Sequence, residues 1–143
     1  MPVSAIPDGY HTVTPLVAVN DVAKFLEFAK RAFGAEEVMR MAAPDGTVAH
    51  AEINIGNSRL MVERGDAASS QSSLYMYVND CDEFYGRAIR AGAKSGQELT
   101  NRPWGDRVGM VLDPSGNKWW IATHKEDLSP EEISKRVAAA MNR

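Results

Sequence analysis

Val78-Asn79-Asp80-Cys81-Asp82-Glu83-Phe84-Tyr85-Gly86-Arg87-Ala88-Ile89-Arg90-Ala91-Gly92-Ala93 repeats the pattern of residues 19–35. Both stretches open on Val-Asn-Asp, at Val19-Asn20-Asp21 and Val78-Asn79-Asp80, an offset of 59 residues (78 minus 19). Phe25, Ala29, Arg31 and Ala32 of the first match Phe84, Ala88, Arg90 and Ala91 of the second, and each closes on Gly-Ala, Gly34-Ala35 and Gly92-Ala93. Farther along, Gly56-Asn57 is answered by Gly116-Asn117, each ahead of an apolar, strand-like run. A unit of about 60 residues exceeds most solenoid repeats, and two copies are too few for a propeller. The pattern is that of a duplicated half-domain, which implies a pseudo-twofold axis and a site drawing on both halves.

Local patterns then place the elements. Thr12 to Val19 is rich in β-branched and apolar residues and ends at Asn20-Asp21, a helix-capping pair. Val22, Phe25, Leu26, Ala29, Ala32 and Phe33 fall at helical spacing, with Gly34 as the stop. Strands are expected at about 35–43, 47–55 and 58–63, punctuated by Asp45-Gly46 and Gly56-Asn57. Gly65 to Ser73, with its Ala-Ser-Ser-Gln-Ser-Ser core, reads as a flexible linker. The second half repeats the order: a strand from Leu74 to Val78, then a helix from Asp80 to Ala91 with Glu83 at the capping-box spacing. Residues 94–104 predict a short strand followed by a loop at Asn101-Arg102-Pro103-Trp104-Gly105. Arg107 to Leu112 and Lys118 to Thr123 form a hairpin about Asp113-Pro114-Ser115-Gly116-Asn117, where Pro fixes one torsion and Gly supplies a positive φ. Ser129-Pro130-Glu131-Glu132 opens a tail helix with a cap, a Pro at the first helical position and a capping-box Glu.

The bulk properties narrow the function classes. A chain of 143 residues is long enough to bury its own core, and residues 1–10, with Pro2, Pro7 and Gly9, read as an extended arm. A formal charge of −3 supplies no basic stripe, so neither nucleic acid nor an anionic membrane is an expected partner. No apolar run reaches membrane-spanning length and no charged-then-apolar leader opens the chain, so a cytoplasmic location is expected. Cys81, the single cysteine, allows no internal disulfide and reads as a small buried hydrophobe rather than a reactive thiol.

Two β-α-β-β-β modules, two Asn-Asp helix starts and Asp113-Pro114-Ser115-Gly116-Asn117 before the last strand resemble the vicinal oxygen chelate superfamily, which comprises glyoxalases, bleomycin-resistance proteins and dioxygenases. Trp104-Gly105-Asp106-Arg107, Ala122-Thr123-His124-Lys125-Glu126-Asp127 and Ser129-Pro130-Glu131-Glu132 look especially like its PhnB-like branch. The resemblance covers about residues 12–135 and implies an α+β fold, two tandem βαβββ modules forming a curved mixed sheet around a cavity, with a C-terminal helix. Residues 1–128 are then one domain, with modules at about 11–64 and 72–124, and residues 129–143 the appended helix. In the metal-dependent relatives a divalent ion is held by His or Glu from the first and last strand of each module. Those positions fall here on Thr14, Met61, Ser73 and Trp120. Two hydroxyls, a thioether and an indole lack the charge and donors such a cation requires, so neither a metal at the usual place nor any other cofactor is expected.

Strand alternation sends Ala51, Ile53, Ile55, Leu60 and Val62 toward the helices and His50, Glu52, Asn54, Arg59, Met61 and Glu63 to the other face. Leu74, Met76 and Val78 likewise separate from Ser73, Tyr75 and Tyr77. The candidate ligand-binding residues are His50, Glu52, Asn54, Arg59, Met61, Tyr75, Tyr77, Trp104 and Trp120, a lining suited to stacking and hydrogen bonding. His50 and Glu52 read as a proton-transfer pair or half of a displaced metal site, or else as a hydrogen-bonded imidazole beside a solvated carboxylate. Trp120 is a stacking platform or core filling, and Trp119 core packing. Trp104 is a lid over the cavity mouth, an anchored loop or a dimer contact, and His124 belongs to a surface junction ahead of the tail helix. The leading functional expectation is a metal-independent small-molecule binding protein, similar to the drug-sequestering members of the superfamily. The alternatives are a glyoxalase-type lyase or dioxygenase with a displaced ion, and a structural dimer without ligand. Both of the first two readings expect a homodimer, since superfamily members usually complete their cavities by pairing modules or chains.

Overall fold

The computed structural model describes residues 3–66 and 71–142, so the centre of the expected linker lies outside the described residues. The chain divides into two compact units, Met1–Ser72 and Ser73–Arg143. The first contains β1 (Leu16–Val19), α1 (Val22–Phe33), β2 (Glu36–Ala42), β3 (Val48–Ile55) and β4 (Ser58–Arg64). The second contains β5 (Ser73–Tyr77), α2 (Cys81–Arg90), β6 (Lys94–Asn101), β7 (Asp106–Leu112), β8 (Lys118–His124) and α3 (Pro130–Met141). Each unit is therefore β-α-β-β-β, with the tail helix added to the second. The strands form two four-stranded mixed sheets, ordered β1-β4-β3-β2 and β5-β8-β7-β6. In both, the first strand runs parallel to the last and the remaining pairs are antiparallel.

The helix boundaries follow from their caps. The Asp21 carboxylate accepts from the Lys24 backbone N–H at 3.0 Å, and Gly34 ends α1 at a φ of 67°. Asp80 repeats the device on Glu83 at 3.2 Å, and Ser129 on Glu132 at 3.2 Å. The buried face of α1, Val22, Phe25, Leu26, Phe28, Ala29, Ala32 and Phe33, packs with Ala51, Ile53, Leu60 and Val62 of β3 and β4 to make the first core. Each large side chain so buried stabilises the unit by about 1.5–3 kcal/mol. In the second unit Cys81 and Ala88 of α2 join the core made by Val108, Val111, Trp119 and Ile121. Cys81 is buried as a small hydrophobe, as its place in the sequence implies.

Two elements differ most from the sequence reading. β1 begins at Leu16 rather than Thr12, which leaves Thr14 ahead of the strand. β6 runs eight residues, Lys94–Asn101, where a short strand and a loop were expected. Its sequence, Lys-Ser-Gly-Gln-Glu-Leu-Thr-Asn, has no apolar alternation because it is an edge strand, exposed along nearly its whole length. The ladder to β7 holds it, with register shifts at Ser95/Gln97 and Gln97/Thr100. Among the described residues no helix is long and apolar enough to cross a membrane.

Candidate functional site

β5 alternates as its sequence predicts, with Leu74 and Met76 half-buried and Ser73, Tyr75 and Tyr77 exposed on the opposite face. β8 lies parallel beside it, with Tyr75 paired to Trp120 and Tyr77 to Ala122, so the three aromatic side chains share one face. The Tyr75 and Trp120 rings are 6.5 Å apart and nearly parallel, at 17°, and Tyr75 and Tyr77 lie 5.2 Å apart. Trp119 points the other way into the core, where its indole donates to Asp113 Oδ2 at 2.9 Å. Trp120 donates to Ser73 Oγ at 3.1 Å.

The tyrosine hydroxyls converge on a carboxylate. Tyr75 and Tyr77 donate to Asp106 Oδ2 at 2.7 and 3.0 Å, while Asp106 Oδ1 lies 2.9 Å from His124 Nδ1. The other His124 nitrogen, Nε2, lies 2.7 Å from Asp127 Oδ1. A carboxylate at each nitrogen favours the protonated imidazolium form of His124. Hydrogen bonds that His124 donates to Asp106 and then to Asp127 accordingly raise its pKa above the ordinary histidine value. Asp106 is only 3% exposed, and burial pushes its carboxyl up. The hydrogen bonds from His124, Tyr75 and Tyr77 more than offset this, leaving its pKa below the usual carboxylate range. Burial and the bonds to Asp106 push Tyr75 well above the ordinary phenol value, and Tyr77 upward as well. The two residues are 44% and 62% exposed, yet the hydroxyl ends sit on the buried acid.

This arrangement has a definite chemistry. Asp106 carries three hydrogen bonds and His124 is engaged at both ring nitrogens, so each acts as a base only by breaking the cluster. The tyrosine protons are committed to Asp106, and the rings remain substantially exposed. The face thus presents three aromatic rings on one side of the sheet, a surface whose chemistry suits stacking against a flat molecule.

Trp104 stands in the Arg102–Gly105 turn, 5.9 Å from the Arg102 guanidinium, and bonds to Tyr75 strongly enough to act on its ionisation. That tie makes it an anchored loop residue. In the first unit His50 Nε2 lies 3.0 Å from Glu52 Oε2, both side chains largely shielded, and Arg59 donates to Asn54 Oδ1 at 2.6 Å. The Arg59 guanidinium also sits 4.5 Å from the centre of the Tyr10 ring, and Met61 pairs with Glu52 across β3 and β4. The sequence reading put His124 in a surface junction and assigned Asp106 no role, because its strands stopped at Arg107 and Thr123. Counting six residues outward from the Leu112–Lys118 pair reaches Asp106 and His124, which are register partners.

The positions that resemblance assigns to an ion do not fit one. Thr14 lies outside β1, Met61 contributes a thioether, and Ser73 and Trp120 bond to each other, the indole nitrogen having no free lone pair. Among the described residues no three His, Cys, Asp or Glu are grouped so as to hold a metal ion.

The chain is similar to known proteins in sequence and in fold. The chain is 29% identical over 140 residues to the uncharacterized protein Mb0911c of Mycobacterium bovis, covering 89% of this chain and 92% of that one. The crystal structure of TioX from Micromonospora sp. ML1 superposes with a TM-score of 0.69 at 28% identity, over 80% of this chain and 99% of that one. A bleomycin-binding protein complexed with bleomycin shares the fold, with a TM-score of 0.62 at 21% identity over 81% of this chain and all of the other. The model of the Glyoxalase/Bleomycin resistance protein/Dioxygenase superfamily matches residues 10–121, and the chain belongs to that superfamily.

Proposed function

We propose that this chain is a metal-independent small-molecule binding protein that captures a planar or amphipathic compound on Tyr75, Tyr77 and Trp120. The observation that carries the reading is the Trp120–Ser73 hydrogen bond beneath the Tyr75–Trp120 stack. Where metal-dependent relatives present carboxylate and imidazole, the second half presents a flat apolar surface whose polar atoms are engaged with one another. The neighbour complexed with bleomycin supports the reading, since a protein of the same fold there holds a small molecule. His50, Glu52, Asn54, Arg59 and Met61 form a second proposed set of guest contacts, and Trp104 borders the platform. We further assign the chain to the PhnB-like branch, as a homodimer whose protomer is one domain over residues 1–128 with the tail helix appended.

A thermal-shift screen of planar compounds, run with and without chelator, tests the proposal. A guest at a hundred times its Kd adds about 2.7 kcal/mol of stability. Shifts that persist in chelator are expected. Shifts that appear only with zinc, nickel or manganese would instead favour a lyase or dioxygenase with a displaced ion, for which His50 and Glu52 are the nearest candidate ligands.

A further inference from the structure

A second feature of the C-terminal half lies outside the aromatic platform. The Arg102–Gly105 turn and the segment following β8 are tied together by Lys125 and Glu126, whose N–H groups both donate to the Gly105 carbonyl, at 2.8 and 3.1 Å. The approach is so close that a Cβ on Gly105 would lie 2.5 Å from the Glu126 carbonyl oxygen. Beside this junction is a cavity of about 450 Å³, whose wall includes Asn101, Arg102, Asp106, Arg107, Lys125 and Glu126.

Most of the charge on that wall is already matched. Asp106 is saturated by Tyr75, Tyr77 and His124. Glu126 is held by Arg136 at 2.7 Å, and Arg107 is clamped by both oxygens of Asp82 at 2.9 and 3.0 Å. Two cations remain, Arg102 and Lys125, and neither has a carboxylate within ion-pair distance among the described residues. Lys125 acts on Asp82 only at longer range. Arg102 spends one Nη2 proton on the neutral Gln97 amide oxygen at 2.8 Å, and its Nε is shielded from solvent with no acceptor. A buried guanidinium N–H without an acceptor is uncommon in folded proteins and marks a position where a partner is missing. Guanidinium and ammonium groups left facing one cavity fit an oxyanion, which arginine grips through paired N–H groups.

We propose that this cavity binds a compact oxyanion, a phosphate ester or a carboxylate, with Arg102 as the principal contact, Lys125 as the second charge and Asn101 as a neutral donor. This site requires no planar guest and stands or falls separately from capture on the aromatic platform.

The test is calorimetric titration of the full chain with inorganic phosphate and with acetate, at constant ionic strength set by chloride. Saturable binding of either anion, weakened at least tenfold by Arg102→Gln and severalfold by Lys125→Gln, is expected. Lys94→Gln, a change at a distant exposed cation, and Trp120→Ala on the platform leave it unchanged. Circular dichroism confirms that each variant is folded, and Lys125→Gln, at an exposed side chain, serves if Arg102→Gln is not. Absence of saturation with both anions, or equal binding by wild type and by folded variants at both positions, would overturn the proposal.

Discussion

The final hairpin of the first half closes on two residues, Gly56 and Asn57, whereas the matching hairpin of the second half closes on five, Asp113 to Asn117. Gly56 sits at a φ of 57° with open space around it, so the short turn depends on backbone torsion alone. The longer turn depends on a buried carboxylate. Asp113, 4% exposed, accepts from the backbone N–H of Ser115 and of Asn117, from the Asn117 amide and from the Trp119 indole, at 2.8–3.1 Å. The polar faces diverge in the same way. β3 and β4 carry hydrogen-bonded pairs, His50 with Glu52 and Asn54 with Arg59, while β5 and β8 carry stacked rings over one carboxylate. A duplicated half-domain thus retains its order of elements while one copy comes to rely on a buried acid that the other lacks.

The largest test of that contrast is Asp113→Ala. Hydrogen bonds to a charged acceptor are worth roughly 1.5–3 kcal/mol each and do not add fully, so a loss of about 3–4 kcal/mol is expected in urea unfolding. Gly56→Ala, which meets only a torsional cost, should lose about 1–2 kcal/mol. Equal losses would erase the distinction between the turns. Next comes the platform: Trp120→Ala should weaken guest binding by about 0.5–1.5 kcal/mol beyond lost contact area, and Arg59→Ala in the first half by less. The smallest effect is the pH dependence carried by His124. Its folded pKa lies above the ordinary value near 6.5, so its contribution is complete below that value and is lost as pH rises through the folded pKa. The unfolding midpoint of wild type should therefore fall relative to His124→Gln as pH rises above about 6.5.

Much of the fold was legible because caps and periodicity are local. Asp21, Asp80 and Ser129 announce their helices to within a residue, and the Val22 to Phe33 spacing marks the buried face of α1. β6 was not legible, since an exposed edge strand carries no apolar pattern and is held by a partner distant in sequence. Alternation put Tyr75 and Tyr77 on one face of their strand, and the family resemblance put Trp120 beside them; the three rings lie together. Asp106 and His124 were not legible, because both sit at strand ends, where apolar alternation stops and only hairpin register shows that they meet.

Fluorescence titration of chelator-treated protein with a neutral acridine probe tests the central claim most directly. Saturable quenching of tryptophan emission is expected at the same affinity with and without added zinc, and it should weaken by an order of magnitude when both Tyr75 and Trp120 are replaced by Ala. Binding that needs the metal, or that survives the double replacement unchanged, would contradict the account.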